Sequence, residues 1–112
     1  MGLFNPATNT IQRVFLPGLT GANTSVILPA RAIISQIFAV NNTANAVTGG
    51  LKFGTTNGGV DIVAALTVAA SVASPPATIL LTRFPGQQQI FIDAAVAWNS
   101  ANVDVTILYV QT

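Results

Sequence analysis

The sequence predicts an all-β fold: about eight short strands in a β-sandwich or jelly roll, with an extended amino-terminal arm. The first observation is the spacing of turn-forming residues, because Gly, Pro and Asn interrupt the chain every few residues. The second is composition, since the runs between these breaks are rich in Val, Ile, Thr and Phe, which favour strands. The third is length: 112 residues without cysteine predict one domain with a single packed core.

The arm is assigned to residues 1–10 and the sandwich to residues 11–112. Apart from Leu3 and Phe4, the arm is polar and rich in turn-forming residues. Two apolar side chains are too few for an element of structure, yet they disfavour a fully solvated tail. We therefore expect the arm to contact a neighbouring subunit or the larger assembly to which the protein belongs, although a frayed terminus is the alternative. The contact residues expected there are Leu3, Phe4, Asn5 and Pro6.

The strands follow the apolar runs in chain order. They are predicted at residues 11–16, 24–28, 31–41, 50–54, 60–69, 77–84, 88–94 and 103–110. The run at 61–73 also fits a helix of about three turns, because it is rich in Ala and has an Asp near its start. Its β-branched residues and the Asn-Gly-Gly turn before it favour a strand. The last run alternates most clearly, with Val103, Val105, Ile107 and Tyr109 on one face and Asp104 and Thr106 on the other.

One hairpin can be predicted residue by residue. A four-residue loop at 55–58 would place Lys52 directly opposite Asp61 on the neighbouring strand. Such an opposite-charge pair contributes about 0.2–1 kcal/mol and helps to fix the register. The Asn-Gly-Gly run at 57–59 can supply the positive φ that the turn needs.

Charge is unusually scarce, and its scarcity excludes several classes of protein. Only 6% of residues are charged and the net charge is +1, too little for the basic surface of a nucleic-acid-binding protein. The absence of Cys and His excludes thiol and imidazole catalysis and the usual zinc sites. No secretory signal or uninterrupted apolar span of about 20 residues is present, so no membrane partner is expected.

Catalysis is not expected, nor is a metal or any other cofactor. The candidate acids and bases are Asp61, Asp93 and Asp104, each of which more simply occupies a solvent face or pairs with a cation. Ser71 and Ser74 have no evident activating base. The glycines of residues 49–59 lack the Gly-Lys-Ser/Thr ending of a phosphate loop and are interpreted as hairpin glycines.

The aromatic residues divide into two groups. Trp98 lies at a predicted turn, where it either closes one end of the sandwich with its indole N–H bonded to a loop carbonyl or contacts a partner. Five phenylalanines fall within predicted strands and are assigned to the core. They are Phe15, Phe38, Phe53, Phe84 and Phe91.

The neutral surface itself suggests a role. A stand-alone domain usually keeps its solubility with mixed surface charge, whereas uncharged Thr, Asn, Gln and Ala must cover this one. Charge is depleted at the centre of protein interfaces, so permanent packing against other protein fits this composition. A stand-alone neutral β-domain is the alternative.

Two segments, residues 49–59 with the strand that follows and residues 95–105, resemble small virion proteins of tailed bacteriophages, in particular capsid decoration (cement, head-stabilising) proteins. The resemblance covers roughly residues 49–112. It implies a β-sandwich or jelly roll that forms dimers or trimers, is made in the host cytoplasm and binds the major capsid protein on the outer capsid surface.

Composition and resemblance together predict a structural virion protein that acts by burying interfaces, with a capsid decoration protein favoured. The runner-up is a head- or tail-fibre domain that binds host-surface glycans through Trp98 and Asn or Gln side chains. A non-viral soluble β-domain comes third. None of these functions calls for nucleic acid or a membrane.

Overall fold

The computed structural model describes residues 11–21, 24–69 and 83–112, which form seven strands and no helix. The strands are β1 (Ile11–Leu19), β2 (Thr24–Leu28), β3 (Ala32–Asn41), β4 (Leu51–Gly54), β5 (Val63–Leu66), β6 (Gln88–Ala94) and β7 (Val103–Gln111). Within these ranges, therefore, no helix is available to span a membrane. The all-β prediction is confirmed.

The strands form two antiparallel sheets. A three-stranded sheet has the order β1-β7-β3, and a four-stranded sheet has the order β2-β6-β4-β5. Strand β7 lies at the centre of the first sheet, so it joins β1 to β3. The two sheets enclose one core, which confirms the β-sandwich.

The core consists of the side chains that alternate inward from both sheets. Val103, Val105 and Ile107 on β7 are fully buried, as their alternation predicts. The four-stranded sheet contributes Phe53 and Ile92 from neighbouring strands, which are also buried. Most of these residues are β-branched or aromatic, and such side chains pack well on a pleated surface.

The predicted strands agree closely with those observed. The strand predicted at 77–84 lies outside the described residues except for Arg83, which bridges to Ile33, and the buried Phe84. In the segment at 61–73, the described residues form the strand Val63–Leu66, so the helix alternative is wrong there. The predicted arm at residues 1–10 also lies outside the described part of the chain.

The predicted pairing of Lys52 with Asp61 is wrong. Phe53 pairs with Val63, and Lys52 instead lies opposite Asp93 on the other side of β4. The cause is a longer loop, held by the Asp61 carboxylate, which accepts hydrogen bonds from the backbone N–H (2.8 Å) and hydroxyl (2.6 Å) of Thr55. Asp61 therefore closes the loop and is not part of the ladder.

Glycine is required at two places around this loop. Gly58 has φ +79°, which confirms that the Asn-Gly-Gly run supplies positive φ. At Gly54, a Cβ atom would lie 2.4 Å from the carbonyl carbon of Gly59. The end of β4 therefore has no room for a side chain.

Candidate protein interface

The outward side of the three-stranded sheet is largely apolar, and we call it the apolar face. Seven of its eleven residues are hydrophobic, counted from the alternation and register of the three strands. The face consists of Ile11, Arg13, Phe15, Ile33, Gln36, Phe38, Val40, Asp104, Thr106, Leu108 and Val110. It lies on the side of the three-stranded sheet that faces away from the core.

The register arranges these side chains in rows across the sheet. The rows are Ile11–Val110–Ile33, then Arg13–Leu108–Gln36, then Phe15–Thr106–Phe38, and finally the pair Asp104–Val40. A bulge at Ser35 in β3 keeps Gln36 and Phe38 on this outward side. Leu108 and Thr106 occupy the middle of the face because β7 is the central strand.

Much of this hydrophobic surface is exposed. Ile11 is 63% exposed, Phe15 49% and Val40 39%, while the remaining apolar residues of the face are half-buried. Thr106, between two phenylalanines, is only 9% exposed. Three strands about 4.8 Å apart and four rows about 6.8 Å apart give a footprint of about 400 Å². Exposed hydrophobic side chains grouped on one face of a small protein are often functional.

The apolar face carries one positive and one negative charge. The Arg13 guanidinium lies 5.9 Å from the centre of the Phe15 ring, a cation–π distance. The Asp104 carboxylate accepts a hydrogen bond from the backbone N–H of Gly18 at 2.9 Å. Since Gly18 belongs to β1, this bond draws the carboxylate from the central strand toward the β1 side.

The outward side of the four-stranded sheet is different, and we call it the polar face. It comprises Ser25 and Ile27 of β2, Lys52 and Gly54 of β4, and Gln89, Phe91 and Asp93 of β6. Gln89 donates a hydrogen bond to the Ser25 hydroxyl at 2.9 Å, and Lys52 lies opposite Asp93. Most polar groups here are thus matched with partners in the same chain.

Trp98 joins this polar face at one end of the sandwich. Its ring is half-buried against the core, and its indole N–H donates to Oδ1 of Asp93 at 2.8 Å. The same oxygen accepts from the backbone N–H of Ala94, also at 2.8 Å. The predicted loop carbonyl is therefore the wrong acceptor, because a carboxylate of β6 takes its place.

A tight turn positions Trp98. Asn99 and Ser100 both have positive φ, and the N–H of Ala101 donates to the carbonyl of Trp98 at 2.9 Å. Two central residues with positive φ define a type I′ turn, so the turn expected beside Trp98 is confirmed. The Asn99 side chain further ties the turn to the carbonyl of Ala46.

The three carboxylates lie on different elements and each accepts hydrogen bonds from its own chain. Asp93 is on β6, Asp104 is on β7 and Asp61 is in the loop between β4 and β5. The hydroxyl and backbone N–H of Thr55 hold the pKa of Asp61 below its ordinary value of 3.8. The described residues contain no cluster of three or more metal-binding side chains of the His, Cys, Asp or Glu type.

Of the predicted contact residues, the structure describes Trp98 alone. Leu3, Phe4, Asn5 and Pro6 lie outside the described residues, and Trp98 lies beside the polar face, so the partner contacts expected of them stay predictions.

The assignment of the phenylalanines is partly wrong. Phe53 and Phe84 are core residues, but Phe15 and Phe38 lie on the apolar face and Phe91 on the polar face. The available signal was Arg13: it shares the two-residue period of Phe15, and a charged residue in phase marks an outward side.

Comparison with known proteins shows a similarity to a solved structure in fold. No family model matches the chain, and no curated protein matches it. Its fold is similar to a chain of a solved structure described as the capsid of Ralstonia phage GP4, with a TM-score of 0.65 and 14% sequence identity. The match covers 100% of this chain and 91% of that chain. The two chains therefore share the whole sandwich architecture.

Proposed function

We propose that the protein is a structural component of a bacteriophage virion, namely a capsid decoration protein that binds the outer surface of the head. The observation that carries the proposal is the likeness of fold, along the full chain, to a chain of a phage capsid structure. The resemblance of residues 49–59 and 95–105 to decoration proteins supports the same role. The binding partner would be the lattice of major capsid protein.

The physical basis of this role is interface burial. A decoration protein needs surfaces that exchange water for protein contacts at little cost, and uncharged side chains are cheaper to desolvate than charged ones. The chain has 6% charged residues and an apolar face of about 400 Å². Many identical copies on a regular lattice would then stabilise the shell even if each contact were modest.

The location follows from this role. Capsids assemble inside the host, so the protein would be made in the host cytoplasm and would end on the outer surface of the virion. Residues 1–10 would add a second contact through Leu3 and Phe4, each contributing about 1.5–3 kcal/mol before the cost of ordering the arm.

Co-sedimentation with capsids that lack the protein tests the proposal. We expect labelled protein to sediment with the capsids and to saturate at a fixed ratio to the capsid subunits. Protein that stays in the supernatant at every concentration would contradict the proposal. Binding to glycans purified from the host surface, without binding to capsids, would instead identify the fibre-domain alternative.

Removing residues 1–10 tests the arm in the same assay. We expect the sandwich to stay folded, as measured by circular dichroism, and the affinity for capsids to fall by about tenfold or more, since two buried apolar contacts are lost. The matched control replaces Leu3 and Phe4 by Ser and keeps the arm at full length. If both variants bind as tightly as the full chain, attachment depends on the sandwich alone.

A further inference from the structure

We propose that the apolar face binds a second copy of this chain, face to face, about a two-fold axis that runs across the strands at the row Phe15–Thr106–Phe38. This inference does not rest on the proposed function, since it concerns the protein in solution. It rests on how the hydrophobic rows and the two charges are arranged on the apolar face.

The axial row and the rows on either side of it are compatible with such an axis, whereas the row Ile11–Val110–Ile33 lies outside the overlap. A two-fold axis between two stacked faces places each residue of the axial row against the same row of the other copy. The phenylalanines at positions 15 and 38 would then meet their own counterparts, with Thr106 shielded between them. Stacked sheets lie about 10 Å apart, the space that two layers of such side chains fill.

The charges are complementary under the same axis. The rotation exchanges the row on one side of the axis with the row on the other, so the row of Arg13 faces the row of Asp104. Arg13 is on β1 and Asp104 on the adjacent β7, one strand spacing of about 4.8 Å to the side. The hydrogen bond from Gly18 draws the carboxylate toward β1, which shortens this offset. Each dimer would therefore contain two Arg13–Asp104 pairs between copies.

This arrangement is the reason for choosing a second copy as the occupant. A face meant for an unrelated apolar surface has no need of charges, because each would be desolvated without a partner. A face that carries one charge of each sign, on opposite sides of its central row, supplies the partners itself.

The area sets the expected strength. Under this axis three of the four rows overlap, which is about 300 Å² from each copy and a total near 600 Å². This total is below the range of standard stable interfaces. We therefore expect a weak dimer, with a dissociation constant of about 10 μM to 1 mM. Such a dimer would form mainly where the chain is concentrated.

Two charge reversals test the pairing through sedimentation equilibrium and native mass spectrometry of the purified full chain. The variants are Arg13→Glu and Asp104→Lys. Each alone places like charges together across the two-fold axis, so each should be monomeric where the wild type dimerises. An equimolar mixture of the two variants should restore dimers, because both charge pairs are then opposite again.

The control variant is Gln89→Glu, which adds negative charge to the polar face and should dimerise like the wild type. Circular dichroism and urea unfolding check that each variant folds. If Asp104→Lys fails to fold because it loses the Gly18 bond, the double variant Arg13→Glu with Asp104→Asn replaces it. That double variant keeps an acceptor for Gly18, removes the repulsion and should dimerise more tightly than Arg13→Glu alone.

Three outcomes overturn the proposal. The first is a wild type that shows no dimer at about 1 mM, which equals the weakest dissociation constant expected. The others are single reversals that dimerise like the wild type and, when both reversals fold, a mixture that stays monomeric. A monomer that dimerises only after residues 1–10 are removed would identify the chain's own arm as the occupant. Because no capsid is present, none of these outcomes bears on the proposed virion role.

Discussion

The two outward faces of the sandwich differ in how completely the chain satisfies them. On the polar face, Gln89 bonds to Ser25, and Asp93 accepts hydrogen bonds from Trp98 and Ala94. The apolar face, by contrast, exposes three large hydrophobic side chains, Ile11, Phe15 and Val40, whereas the polar face exposes Ile27. Both faces belong to one small domain with the same scarcity of charge.

Folding and association therefore depend on different faces of this molecule. Most polar groups of the polar face find their partners within the chain, so substitutions of those groups should reduce the stability of the fold. The hydrophobic groups of the apolar face that stay exposed, such as Phe15, gain little from folding, so their substitution should reduce association and leave stability nearly unchanged. Three predictions test this separation, in order of decreasing effect.

The largest effect is expected for Phe15→Thr. Each dimer loses two large apolar side chains from its central row, so the association constant should fall about 100-fold, equivalent to about 2.7 kcal/mol. The free energy of unfolding should change by less than about 1 kcal/mol, because the ring is half exposed in the single chain. Sedimentation equilibrium and urea unfolding measure the two quantities. The control, Phe91→Thr on the polar face, should leave the association constant unchanged; an equal loss there would remove the contrast between the faces.

A smaller effect, of the opposite kind, is expected for Asp93→Ala. The half-buried indole N–H of Trp98 and the N–H of Ala94 lose their common acceptor, which should lower the free energy of unfolding by about 2 kcal/mol. Association should be unchanged. Asp93→Asn is the control, because its amide oxygen can still accept and should retain at least half of that stability. Urea midpoints that coincide for Asp93→Ala and the wild type would show that the polar face does not stabilise the fold.

The smallest effect is expected for Asp61→Asn in the loop between β4 and β5. The exposed carboxylate bonds to Thr55, so the substitution should cost about 0.5 kcal/mol at neutral pH. Because folding lowers the pKa of Asp61, the carboxylate contributes its full stability above the ordinary value of 3.8 and loses it as the pH falls through the lowered pKa. The difference between variant and wild type in urea unfolding should therefore shrink toward zero in strong acid. A difference that stays constant with pH would contradict this account.

Strand positions could be predicted from the sequence because they depend on nearby turn-forming residues and on the two-residue period of hydrophobic side chains. The period also divides β7 correctly into Val105 and Ile107 on one side and Thr106 on the other. It cannot reveal which side of a sheet another sheet will cover, so it does not distinguish the outward-facing Phe15 and Phe38 from core residues. That choice depends on contacts between distant strands.

Side-chain hydrogen bonds explain the remaining differences. Charge complementarity between Lys52 and Asp61 predicted a short hairpin, but the bonds from Thr55 give the Asp61 carboxylate a closer partner and lengthen the loop. Trp98 likewise finds an acceptor five residues earlier in the chain, at Asp93. Neither preference is visible in hydropathy, since both depend on the local path of the backbone.

The central place of β7 has a consequence for the order of synthesis. β1 and β3 are joined through β7, and Ile11 pairs with Val110 at the far end of the described chain. A ribosome makes β7 after the other six described strands, so the three-stranded sheet cannot close until translation has passed residue 111. Pairing over so long a separation along the chain is also slow, because the entropy cost of closing the loop comes before any stabilising contact forms. The apolar face therefore forms only after β7 has been made, and a nascent chain that still lacks β7 cannot associate through it.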